Sequence, residues 1–420
     1  MPRKHALVLA VVGSWLLAGV AQAAPGPVCG TPAALRGELV LPAHTPMTAP
    51  GRTNDKGLLF APLDGRLDTK NFTIQWQPDV GDTEMAGVAG EALEASWQAL
   101  IVERGWVQPV SADAYLLPVF IDASIVATGL TAEYPVDDYP EGVPIIYLHP
   151  DSAANPQFFR ALAGHELHHA IQYRMRGVYS AQDGESWYWE ASAEWASELA
   201  QPELDAYAWS APYYSLAPGL RFDSVEQSHQ YGMFLLNAYL EEHVTGAGGM
   251  RAVWERSEDR ADATWDTLLE ESTGLSVDAL WGGFVAAMAG EDLREASIYE
   301  PVVSETLVDG VQGRIALLGA DYFRVPSAGT IVLVTPDPEE RAIAVGAGGQ
   351  GDVIEVVSGE VVGVLGLSDG GADYELGFTR AERPVDDDDS GAGCTCGGSS
   401  SRSFAILGLL LPSGLLRRRR

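Results

Sequence analysis

The sequence predicts an α+β protein whose helical middle is flanked by strands. Three features carry that expectation. Apolar, β-rich runs at 71–76, 115–122 and 143–148 come before residue 150. Helical periodicity fills much of 156–290. Past Glu300, short strand-like runs recur about every ten residues, with Gly, Asp or Pro between them.

Taken in order, Met1 to Lys4 is a basic start, Ala6 to Val20 an apolar core and Ala21-Gln-Ala23 a small-residue cleavage site. Residues 1–23 therefore read as an export signal cut after Ala23, which predicts a secreted, extracellular or cell-surface protein. Residues 24–68 are rich in Pro, Gly and Ala with little periodicity, and read as an extended arm or prosegment. Asn71 to Trp76 alternates like a strand. Thr83 to Arg104 reads as a helix burying Leu93, Trp97, Leu100 and Ile101. Tyr115 to Asp122 and Val143 to Leu148 suit strands.

Next comes Ala163-Gly-His165-Glu166-Leu-His168-His169-Ala-Ile-Gln172. Asn155 can cap a helix here, Pro156 suits its first position, and Gly177 after Arg174 and Arg176 marks its end. Phe158, Leu162, His165, His169 and Gln172 share one stripe, so both histidines face inward. Four residues apart, they can hold one metal ion, with Glu166 beside the first able to reach a water there. His168 points elsewhere around the helix and reads as a bystander. A catalytic zinc site wants a third protein ligand. Glu190, Glu194 and Glu198 repeat every four residues, an acidic stripe that makes sense against a cation. Glu190 is the candidate third ligand, and Glu194, one turn on, can accept the second N–H of a ligand histidine. Glu198 reads as a surface or supporting carboxylate. The competing reading has core histidines and a solvated acidic face.

The HELHH string, followed by Trp187-Tyr-Trp-Glu190-Ala-Ser-Ala193, resembles the gluzincin metallopeptidases, and within them secreted bacterial metalloproteases. The thermolysin branch's N-E-x-x-S-D string is missing. The resemblance spans roughly residues 70–290 and implies a zincin-like domain over 69–300, a small sheet plus a helical subdomain. It implies Zn²⁺ on His165, His169 and Glu190, Glu166 as general base, and a peptide or protein substrate aligned along an edge strand. It also implies a downstream Tyr or His that donates to the oxyanion. Tyr231 is the candidate and His229 the reserve; a core tyrosine beside a helix-start histidine is the alternative. Rival functions are a zinc hydrolase acting on another bond, or a surface adhesion protein whose metal domain has lost turnover.

Pro202 to Phe222, aromatic and proline-rich, reads as a packed connecting loop or a cleft wall. Gln227 to Gly232 opens a helix burying Phe234, Leu235, Ala238, Tyr239 and Leu240, with further helices near 250–256, 264–271 and 277–288. Residues 301–382 read as a β-sandwich serving as a surface or spacer domain.

Residues 383–403 form an acidic Gly/Ser/Cys linker carrying Cys394 and Cys396, and 404–420 an apolar run ending in Arg417 to Arg420. That tail resembles the myxobacterial C-terminal sorting signal, which implies transient membrane anchoring and a sorting protease cutting near Cys394 and Cys396. The apolar run is shorter than the roughly twenty residues of a spanning helix. The net charge of −32 argues against nucleic acid and anionic lipid. Three cysteines do not make a disulfide framework. Cys29 reads as idle or paired with the tail, in preference to a thiolate plugging the metal in a latent form.

Overall fold

The computed structural model describes residues 29–381, apart from 36–37, 50–55, 177–185, 206, 259, 261, 297–301, 303 and 348. The export signal, the helix stop at Gly177 and the C-terminal linker and sorting segment lie outside the described residues. No helix among the described residues is long and apolar enough to cross a membrane.

The arm is more structured than its composition suggests. It contains α1 (Thr31–Leu35), β1 (Pro46–Ala49), β2 (Leu58–Phe60) and β3 (Gly65–Asp68), with β1 and β2 pairing antiparallel. Then follow β4 (Phe72–Trp76), α2 (Thr83–Trp97) with a π-helical extension Gln98–Glu103, β5 (Leu117–Ile121), β6 (Gly129–Val136) and β7 (Tyr139–Leu148). Five of these strands make one sheet in the order β3-β4-β5-β7-β6. β4, β5 and β7 run parallel, while β6 returns antiparallel on β7 and forms an edge.

The alternation at 71–76 predicts a half-buried strand, yet all five residues of β4 are buried, Thr73 and Gln75 included. The reason is its position between two neighbours with a layer on each face. α2 covers one face with Ala89, Leu93, Trp97 and the following Leu100 and Ile101. Leu59, Phe60, Phe120, Leu130, Ile145 and Tyr147 form a second core on the other.

α3 (Pro156–Arg176) starts as its sequence predicts: the Phe158 amide donates to Asn155 Oδ1 at 3.2 Å. It lies beside β6 and packs on α4 (Ser186–Ala200). Further along are α5 (Tyr207–Ser215), α6 (His229–Gly232), α7 (Phe234–Tyr239), α8 (Gly249–Ser257), α9 (Trp265–Thr273) and α10 (Val277–Gly290). The stretch read as a connecting loop therefore holds a helix, α5, despite Pro212 inside it. Thr264 and Ser276 cap α9 and α10 through their hydroxyls.

The C-terminal strands are β8 (Glu305–Thr306), β9 (Val311–Ile315), β10 (Ala320–Arg324), β11 (Gly329–Val334), β12 (Ala342–Gly346), β13 (Gly349–Gly351), β14 (Val353–Val356), β15 (Val361–Gly366) and β16 (Ala372–Arg380). They form two sheets, β13-β12-β15-β10-β8 and β14-β11-β16-β9, enclosing a core that includes Ile331, Val364 and Leu376. A sandwich is present, but it is no detached spacer. Tyr322, Val345 and Leu365 join the same core as Trp281, Phe284 and Val285 of α10, and the described chain is one compact unit to Ala381. The hydroxyls of Tyr214 and Tyr322 meet at 2.9 Å across that junction.

Candidate metal centre

One helical turn separates His165 from His169, and α3 aims both rings at α4. Their Nε2 atoms are 3.0 Å apart. Glu190 faces them from α4, with Oε2 3.3 Å from His165 Nε2 and Oε1 3.4 Å from His169 Nε2. All three residues are at most 2% exposed.

The hydrogen-bond network assigns the tautomers. Gln172 donates its amide N–H groups to Trp189 O and Ser192 Oγ, both at 2.9 Å, so its Oε1 is turned to accept from His169 Nδ1 at 2.6 Å. His165 Nδ1 lies 3.2 Å from Glu194 Oε1, whose partner oxygen accepts from Ser210 Oγ at 2.9 Å. His169 Nδ1 is thus a donor, and the carboxylate beside His165 Nδ1 favours a proton there too, which leaves the two Nε2 atoms, 3.0 Å apart, facing Glu190. Neither oxygen of Glu190 receives a hydrogen bond. Two imidazole lone pairs and a carboxylate, crowded together away from water, need a cation or protons between them.

The protonation tendencies show the same demand. Burial pushes His165 and His169 down, but Cys29 and the glutamates outweigh it, raising His165 well above the usual imidazole range and His169 to about 10. Burial would raise Glu190, yet the two histidines hold it at about 2. Divalent metal binding would displace those imidazole protons.

The fourth member of the group is Cys29. Its Sγ lies 3.4 Å from His169 Nε2 and 3.4 Å from Glu166 Oε1, and the ligand atoms of Cys29, His165, His169 and Glu190 all fall within 4.8 Å of one another. Tetrahedral zinc, with Zn–N near 2.0–2.1 Å and Zn–S near 2.3 Å, separates its ligand atoms by roughly 3.3–3.6 Å. The donor set suits such an ion, and the nitrogen–oxygen and nitrogen–sulfur distances of 3.3–3.4 Å match it, while the two Nε2 atoms, 3.0 Å apart, would have to part slightly. The idle-cysteine reading is thereby corrected: Cys29 is buried in the site, 137 residues from Glu166 in sequence. Its isolation near the start of the chain, far from Cys394 and Cys396, was the available signal.

Glu166 is fully buried. Thr131 Oγ1, on the edge strand β6, lies 2.9 Å from both Glu166 Oε2 and the Glu166 main-chain oxygen. Burial raises the Glu166 carboxyl above its ordinary value, and His169 and His165 moderate the rise. Gly129 leaves room for this carboxylate, since a Cβ there would lie 2.8 Å from Glu166 Oε1.

Tyr231, from α6, reaches the group: its Oη accepts from the Cys29 amide at 2.9 Å, and its ring is 6.3 Å from that of His165. His229 is not brought in. Its buried ring lies 5.7 Å from that of Tyr214, and burial lowers its pKa to about 4. Two positions apart on a helix is about 200° around its axis, so His229 faces the side of α6 opposite to Tyr231. His168 stays outside too, edge-on to Trp106 at 4.7 Å, and burial keeps it neutral. Glu198 is buried, not at the surface, and is outside the ligand group. Trp209 and Ser210 of α5 line a small crevice beside His165 with Phe158, Leu162 and Glu194, so part of the aromatic stretch does form a wall.

Fold and site define an α+β protein with a buried Cys/His/His/Glu group that could hold a metal ion. Residues 68–280 match a family of unknown function, DUF6055, and the chain belongs to that family. The match contains His165, Glu166, His169, Glu190, Glu194 and Tyr231, and leaves out Cys29 and the sandwich. No curated protein matches the chain.

Proposed function

We propose that the protein is a zinc-dependent peptidase of zincin-like fold, secreted or displayed at the cell surface, in which Glu166 is the general base. The observation that carries the reading is the convergence of His165 and His169 with Glu190, beside a buried carboxylate that is not part of the ligand group. When bound, a divalent ion on those three residues would supply Lewis acidity, acidifying water and polarising a carbonyl.

The chain's own residues do the rest. A water in the place of Cys29 Sγ would lie 3.4 Å from Glu166 Oε1, in position to give up its proton there. Thr131 holds the other oxygen, so the accepting one keeps its direction. Burial of Glu166 favours holding that proton until the leaving amine takes it. Tyr231 stays protonated, since burial, with Glu190 adding to it, raises its phenol well above the ordinary value. Its hydroxyl is then a donor for an oxyanion. β6 offers a sheet edge along which an extended peptide can pair.

A structural metal site is the second reading, favoured by the fourth donor, Cys29, which would close the coordination sphere. Casein and peptide-library hydrolysis, with and without chelator, tests the first. Because Cys29 stands in the site, the assay uses wild-type and Cys29→Ser proteins. Glu166→Gln, made in the active protein, should keep its zinc and lose hydrolysis by roughly 10²–10⁴-fold. Zinc-loaded proteins that cleave no peptide, or a Glu166→Gln protein that stays active, would sink the peptidase reading.

A further inference from the structure

We propose that Cys29 is a fourth, removable ligand of the metal group, and that the segment Cys29–Leu35 is a plug that keeps the site latent until it is withdrawn. The latency rests on the peptidase reading; the ligation does not.

Contacts at four working parts of the site carry the proposal. Cys29 Sγ fills the coordination position that a water would need, 3.4 Å from His169 Nε2. The carboxylate of Glu166 is engaged on both oxygens: Sγ lies 3.4 Å from Oε1, and Thr31 Oγ1 donates to Oε2 at 3.4 Å. The Cys29 amide donates to the Tyr231 hydroxyl oxygen at 2.9 Å, so the segment stands beside the hydroxyl where an oxyanion would have to approach it. The edge of β6 is taken by backbone pairing and by one side-chain contact. The Gly30 amide donates to Gly129 O at 2.8 Å, Cys29 and Gly129 form a parallel bridge, and the Thr131 amide donates to Thr31 Oγ1 at 2.8 Å.

A lone buried cysteine would mean little. Here its sulfur faces Glu190, a fully buried carboxylate with no hydrogen bond on either oxygen, and the two imidazole Nε2 atoms, 3.0 Å apart. The thiol completes the set that a four-coordinate ion takes. On ligation the S–H proton leaves, with Glu166 Oε1 an acceptor at 3.4 Å outside the ligand set, and the sulfur binds as thiolate. On withdrawal the thiolate recovers a proton and water takes its place; no redox change is involved. The fit at Gly30 is close, since a Cβ there would lie 2.9 Å from Ala127 Cβ. Exposed chain follows the plug, Val40 being 98% exposed, so a cut there would separate it from the rest of the protein.

The test uses the full-length protein, stripped of metal with a chelator and reloaded with Co²⁺. Wild type should show a near-ultraviolet thiolate-to-cobalt charge-transfer band. The Cys394→Ser/Cys396→Ser double variant should keep it, and Cys29→Ser should lose it while still binding cobalt stoichiometrically. Bound cobalt without the band in wild type, or a band lost with the tail cysteines, overturns the assignment even if Cys29→Ser does not fold. A folded Cys29→Ser protein that no longer holds cobalt makes Cys29 a permanent structural ligand and overturns the plug.

In the hydrolysis assay, Cys29→Ser should exceed wild type by about 10²-fold or more in kcat/KM, as expected on removing a ligand tethered at millimolar or higher effective concentration. Equal activity in the two proteins overturns the plug and leaves the peptidase reading standing. The expected cobalt spectra with hydrolysis by neither protein support the ligation and count against the peptidase.

Discussion

Glu194 shows how a residue that touches no metal can still govern the site. Its Oε1 stands 3.2 Å from His165 Nδ1, and Ser210 fixes its other oxygen. Without that acceptor, His165 is free to flip or to protonate the wrong nitrogen. Glu194→Ala should therefore weaken zinc binding by roughly 10–100-fold, read by competition with a chromogenic chelator. Unchanged affinity would show that α3 alone orients the ring. The spacing of three glutamates on one helix made Glu190 and Glu194 legible, because an unpaired acidic stripe calls for a cation. Gln172 was placed on the right face with no role attached. Its work depends on Trp189 and Ser192, partners 17 and 20 residues away, which helical periodicity does not address.

At the scale of elements, the decisive meeting is between α3 and the edge strand β6. Gly129 opens β6 where it passes Glu166, with Leu162 Cδ1 2.9 Å and Glu166 Oε1 2.8 Å from where a Cβ would lie. Gly129→Ala should cost about 1–3 kcal/mol by overpacking. It should also displace Glu166, so hydrolysis in a Cys29→Ser background falls while zinc content holds. Thermal denaturation and metal analysis check both; an unshifted Tm with full activity would mean the strand yields without cost. The boundaries of α3 were legible because Asn155 and Pro156 are local signals. The strand at 129–136 was not. Its identity as an edge is a matter of sheet order, set by pairing with β7 and with nothing local to its own residues.

For the molecule as a whole, the sandwich and the helical layer are one body. Gly363 of β15 sits so close to α10 that a Cβ would fall 2.3 Å from Val285 Cγ1. Gly363→Ala should lower stability by about 1–3 kcal/mol, and calorimetry should show a single transition moving as a unit. Two resolved transitions, with one unmoved, would mark the sandwich as an independent folding unit. The strands past Glu300 were legible from their turns; the shared core was not, because the apolar outer face of β12 and β15 reads like any other strand residue until α10 covers it. The position of Cys29 has a consequence for assembly as well. Its amide waits for a partner 202 residues downstream, and its sulfur for one 140 residues away. Contacts spanning so much chain have the largest loop-closure cost and form late. A segment that leaves the ribosome well ahead of its partners must thus wait for them before it can dock.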